Sequence, residues 1–161
     1  MSDRDTFDQL VLNSAYPMLI VTATAGRRAG CLVGFATQAS IQPKRLLVLI
    51  SKANLTFRVA REAEHLAVHF LGTADHPLAT LFGEETGDEI DKFDRCDWMT
   101  GPEGTTVLPT TAGWAVGRIR ERFDCGDHMG HLLDVVTAHA SGPYRPLTSL
   151  DVTEMEPGHP A

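Results

Sequence analysis

The chain has 161 residues, 43% apolar and 22% charged, with a formal net charge of −7. That length suits one domain with a hydrophobic core of its own, and the acidic balance gives no net attraction to nucleic-acid phosphates or an anionic membrane surface. Three scattered cysteines (Cys31, Cys96, Cys125), a polar acidic start and no apolar run longer than residues 46–50 speak against a disulfide framework, a secretory signal and a membrane span, so the expected location is the cytoplasm.

Residues 5–15 place Phe7, Leu10, Val11 and Ala15 at helical spacing, and Tyr16-Pro17 ends that pattern. Residues 18–24 and 29–37 read as two strands of a hairpin around the turn 25–28, with Gly30 and Gly34 marking a bulge or a close backbone approach. Residues 46–51 are almost continuously apolar, as in a strand buried on both faces. Asn54 is a good N-cap for a helix over residues 55–63, and residues 65–71 alternate as a strand. A short helix is expected over residues 77–82, with Gly83 as its stop. Residues 84–94 are acidic and loop-like, with a turn of helix over 89–93; residues 101–111 are loop. Residues 114–123 and 128–139 form two long strands joined by a tight turn at 125–127. Residues 141–161 are Pro-rich and polar, an arm or a frayed tail.

The sum is an all-β (β-rich α+β) single domain, residues 1–161 with a core over 16–140: a barrel or sandwich of antiparallel strands with two to four short flanking helices. No strand opens into a Gly-rich phosphate loop, so a Rossmann unit is not expected.

Three stretches carry candidate chemistry. Ser51, Lys52, Asn54 and Thr56 sit where a buried strand exits into a helix, where free N–H groups, hydroxyls and a lysine suit a phosphate. The small and polar run 34–40 gives a flat ligand room to approach the backbone. His128, just after a turn and beside Asp127, is placed as a pocket-edge acid or hydrogen-bonding group. His128 and His131 differ by an odd number in a strand and face opposite sides, so no metal centre is expected there. The acidic groups Glu84, Glu85, Asp88, Glu89, Asp91 and Asp94 read as a solvated face.

In this order, the opening hairpin, the turn 30–40 into Ile41-Gln42-Pro43, the 51–56 turn, Asp91-Lys92-Phe93 before Asp97-Trp98, and Gly126-Asp127-His128 resemble the flavin reductase-like family of FMN-binding split barrels over residues 16–140. The resemblance implies a Greek-key split barrel and a homodimer with FMN or FAD near the subunit interface. It places Phe35, Ala36, Thr37 and Gln38 along the isoalloxazine ring and Ser51, Lys52, Asn54 and Thr56 at the phosphate. Lys92 and Phe93 would close the pocket, with His128 as the catalytic group on the nicotinamide side. The implied activity is hydride transfer from NADH or NADPH to flavin, with a monooxygenase as partner. The alternative is a protein that binds flavin, deazaflavin or haem without efficient reductase turnover; His65, His69 and His139 are then the first haem ligands to consider. Many members carry serines at positions 34 and 35, a phenylalanine at position 36 and an aromatic, basic C-terminal ending, where this chain has Gly34, Phe35, Ala36 and residues 151–161.

Overall fold

A computed structural model describes residues 1–87 and 90–158. Its strands are β1 (Leu19–Thr24), β2 (Arg28–Val33), β3 (Ala36–Ser40), β4 (Arg45–Ser51), β5 (His65–Phe70), β6 (Met99–Thr100), β7 (Thr106–Val107), β8 (Gly113–Asp124) and β9 (His128–Ala140). Three α-helices accompany them: α1 (Asp3–Asn13), α2 (Leu55–Ala60) and α3 (His76–Glu84).

Seven strands form one antiparallel sheet in the order β2-β1-β5-β8-β9-β4-β3. β2 and β3 are consecutive in the chain yet stand at opposite edges. Only the two residues Gly34 and Phe35 join them, so the sheet must curl until its edges meet. The result is a split barrel. Two register shifts in the β8–β9 pair, at Val116/Gly117 and Ile119/Glu121, supply local bending.

The barrel interior holds Val21, Cys31, Val48, Ile50, Leu66, Val68 and Leu133, closed by Leu55, Val59 and Ala60 of α2. Alternation fixes which side chains enter, since in β5 Leu66 and Val68 point in while Ala67 packs with Val107 and Val116 outside. A second cluster on the outer side joins Met18, Ile20, Leu71, Phe82, Phe93, Leu108 and Leu147.

Several expectations are corrected by packing. The single strand over 29–37 breaks at Gly34-Phe35, where the chain passes from one edge of the sheet to the other, and the Tyr16 ring lies where a Cβ on Gly34 would stand. Gly83 does not stop α3: it lies inside the helix, and a Cβ there would come within 2.8 Å of Leu32 Cδ2 on β2. α1 starts two residues early because Ser2 and Asp5 form a reciprocal capping box. The loop expected over 101–111 contains β7, which pairs with β6 just before it and is tied to β1 by Thr22 Oγ1 donating to the Thr106 carbonyl. The C-terminal arm is docked rather than frayed: Leu147 and Ser149 are buried, and bridges join Pro17 to Thr148 and Gly72 to Pro146. The turn expected over 89–93 lies partly outside the described residues; a 3-10 turn spans Lys92–Arg95.

Candidate functional site

β2 pairs with β1 on one side only, so its other edge is open. A cavity of about 580 Å³ runs along that edge. Residues 26–32 form one wall, while Ser51, Asn54 and Thr56 at the β4–α2 junction form a second. Phe82, Lys92 and Phe93 close the outer side, His128 stands at one end, and Val152 and Met155 of the C-terminal arm complete the lining. A smaller cavity of about 110 Å³ adjoins it, shares Ser51, Asn54 and His128, and is bounded by Tyr16 and Phe35.

Ser51 and His128 are directly opposed in the β4–β9 ladder. His128 Nδ1 lies 2.7 Å from the Asp127 carboxylate, which can only accept, so Nδ1 carries a proton and donates it to that contact. The same contact holds the Asp127 carboxyl below the usual carboxylate range. Phe35 packs on the His128 ring with centroids 4.8 Å apart, and Tyr16 meets Phe35 edge-on at 6.3 Å.

Asn54 occupies the N-cap position of α2 and lines the cavity; its side chain makes no capping bond and interacts instead with the Cys31 thiol. Thr56 is buried against the Cys31 thiol, whose pKa burial pushes up; Thr56, Lys92 and Asn54 pull it back in part. The Lys92 ammonium is buried and donates at 2.9 Å to the carbonyls of both Gly30 and Phe82. Desolvation lowers its pKa, with Cys31 and Glu85 acting in opposition.

Six of the expected site residues therefore converge on the main cavity: Ser51, Asn54, Thr56, Lys92, Phe93 and His128. Phe35 lines only the smaller one. Lys52 is directed elsewhere, with its ammonium 2.7 Å from Asp124 at the end of β8. Ala36, Thr37 and Gln38 lie on edge strand β3 and line neither cavity; Gln38 Nε2 donates locally to the Ser40 carbonyl at 3.2 Å. Arg27, Arg28 and Cys31 line the main cavity without belonging to the expected set. The arginines' only signal in the sequence is their position in the turn of a hairpin.

His131 lies inside the barrel, as the odd spacing from His128 requires. Among the described residues no group of three metal-ligating side chains converges. His69 has both nitrogens engaged: Nδ1 donates to the Ile20 carbonyl and Nε2 accepts from Leu108 N–H, each at 2.9 Å, which leaves no lone pair for haem iron.

The model of the flavin reductase like domain matches residues 12–150. The chain belongs to the flavin reductase-like family. Among relatives of this family, the stachydrine N-demethylase reductase subunit of Rhizobium meliloti is 28% identical over 145 residues, 86% of this chain and 62% of that protein. A probable flavin reductase of the same organism is 24% identical, and the chain covers only 42% of its length. The FMN reductase (NADH) RutF of Klebsiella pneumoniae is 28% identical over 129 residues, 80% of this chain and 78% of that protein. The fold is shared with the NADH:FAD oxidoreductase SgcE6 of Streptomyces globisporus at a TM-score of 0.82 and 21% identity, over 89% of this chain and 86% of that one.

Proposed function

We propose that this domain is an NAD(P)H-dependent flavin reductase that binds FMN or FAD along the open edge of β2. The observation carrying this reading is the convergence of Ser51, Asn54, Thr56, Lys92, Phe93 and His128 on one cavity of about 580 Å³ in a chain of this family. The residues fit the group. The volume suits a cofactor-sized ligand, and the Asn54 amide with the Ser51 and Thr56 hydroxyls supplies polar groups for a phosphate at the β4–α2 junction. Bound flavin would supply the two-electron redox chemistry, so no protein nucleophile is needed. Asp127 holds the His128 ring where the two cavities meet, and that histidine orients the second substrate there. Phe82 and Phe93, with centroids 5.5 Å apart, keep water from the outer wall.

The relatives support the wider setting. One is named a reductase subunit of a demethylase, and a structural neighbour with a TM-score of 0.81 is component B of a nitrilotriacetate monooxygenase. The domain is accordingly proposed to act in the cytoplasm as a homodimer that supplies reduced flavin to a monooxygenase. No helix among the described residues is long and apolar enough to cross a membrane.

The test is NADH and NADPH oxidation by the purified protein with FMN or FAD added. Flavin-dependent oxidation is expected; none with any pair overturns the reading. Phe35, packed on His128, favours a second reading in which flavin is held without fast turnover. Retained flavin with negligible nicotinamide oxidation would select it.

A further inference from the structure

The β1–β2 turn presents two consecutive arginines to the cavity. Gly26, at φ +75°, makes this turn, and Ala25 N–H donates to the Arg27 carbonyl at 3.1 Å across it. Both arginines are exposed and line the cavity, and among the described residues neither has a carboxylate partner. The acids of the same wall are engaged: Glu85 approaches Arg95 at 3.8 Å, and Asp91 accepts from Phe93 N–H. Two guanidinium groups without a carboxylate partner among the described residues thus stand at the cavity of a chain of net charge −7.

Arg28 is also shaped. Its guanidinium carbon lies 4.0 Å from the Trp98 ring centroid and 6.0 Å from that of Phe93. Trp98 holds the guanidinium plane without lining the cavity itself, whereas Arg28 does line it, so a fixed guanidinium borders the cavity. Such a plane accepts a nucleobase as an aromatic ring does.

The two ends of the cavity are separate. Thr56 packs on Cys31, and Arg28 is three residues further along β2, about 10 Å at the usual strand rise. A single phosphate seated at Thr56 leaves Arg27 and the pinned Arg28 without an anion.

We infer that Arg27, Arg28 and Trp98 form a seat for an adenosine diphosphate moiety, with adenine stacked on the Arg28 guanidinium and a phosphate on Arg27. The inference rests on the flavin reductase reading and deepens it: the open edge of β2 takes a dinucleotide, FAD or the nicotinamide substrate, where FMN fills only the Ser51–Thr56 end.

The experiment measures ADP, FMN and FAD binding and the KM for NADH and NADPH, in the wild type and in the Arg27→Ser/Arg28→Ser double variant. ADP should bind the wild type, and the double variant should weaken it about tenfold or more, the usual scale for charge-assisted bonds. FMN, which lacks the adenylate, should change less than about twofold by the same reasoning. A parallel loss for FAD assigns the seat to flavin; a parallel rise in KM for NADH or NADPH assigns it to the nicotinamide. No ADP binding by the wild type, or an equal loss for ADP and FMN, overturns the seat. Arg27→Ser alone, on an exposed turn, repeats the test without disturbing the Trp98 stack, and Arg28→Lys keeps the charge while removing the plane. Failure of the wild type to bind FMN would instead count against the proposed function.

Discussion

The Lys92 ammonium donates to the Gly30 carbonyl at 2.9 Å, so a side chain from the 3-10 turn caps part of the strand edge that the barrel leaves unpaired. A second bond of the same length to the Phe82 carbonyl ties the C-terminal half of α3 to that edge. Both carbonyls need a donor because they are shut away from water.

Lys92→Met should therefore destabilise the fold by about 1–3 kcal/mol, the net of two charge-assisted bonds lost and one desolvated ammonium relieved. Chemical denaturation checks this. A melting midpoint equal to the wild type would mean the carbonyls find other partners.

Lys52→Glu should leave flavin affinity within about twofold, because the Lys52 charge is neutralised by Asp124 outside the cavity and exposed charges are well screened. Asn54→Asp should weaken FMN by about tenfold or more, since it sets a carboxylate at the phosphate end. Fluorescence titration of both variants separates the two positions; a large loss for Lys52→Glu with none for Asn54→Asp would move the phosphate to the β8–β9 turn.

Gly34→Ala should cost about 1–3 kcal/mol, the usual penalty for overpacking, because its methyl group meets the Tyr16 ring. The displaced ring also contacts Phe35, so the smaller cavity changes with it. Adding Tyr16→Ala should recover part of the loss caused by Gly34→Ala; strictly additive effects would show that the two sites are independent.

His69 makes stability depend on pH. Burial lowers its pKa from 6.5 to about 4, and protonating Nε2 would face it with the Leu108 N–H donor. The unfolded chain takes up this proton first, so the contribution is complete above pH 6.5 and is lost as pH falls from 6.5 through 4. The full effect is about 3 kcal/mol, because each tenfold loss of proton affinity is worth roughly 1.4 kcal/mol. His131, also lowered by burial, adds in the same direction. His69→Gln should flatten the slope of unfolding free energy against pH in this window; an unchanged slope would assign it to other groups.

Much of the barrel is legible from contiguous pattern. The apolar run that forms β4 and the alternation in β5 carry their own evidence, because a strand's burial is written in successive residues. The 51–56 turn is legible for the same reason: a strand end and a helix start meet within six residues. The break between β2 and β3 is not, because it follows from the two strands taking opposite edges of the sheet, and the Tyr16 ring that needs Gly34 bare lies eighteen residues earlier. Gly83 misleads in the same way, since Leu32 of a distant strand demands the glycine.

The sequence by itself determined the strand and helix periodicities and the ordered residues that mark the family. Tertiary structure alone decided which cations are available to a ligand. Lys52 is neutralised by Asp124, 72 residues away; Lys92 is buried on two carbonyls; Arg27 and Arg28 remain without a carboxylate among the described residues. Periodicity is a property of neighbours along the chain, whereas the partner of a charge is chosen by which distant strands the barrel brings together.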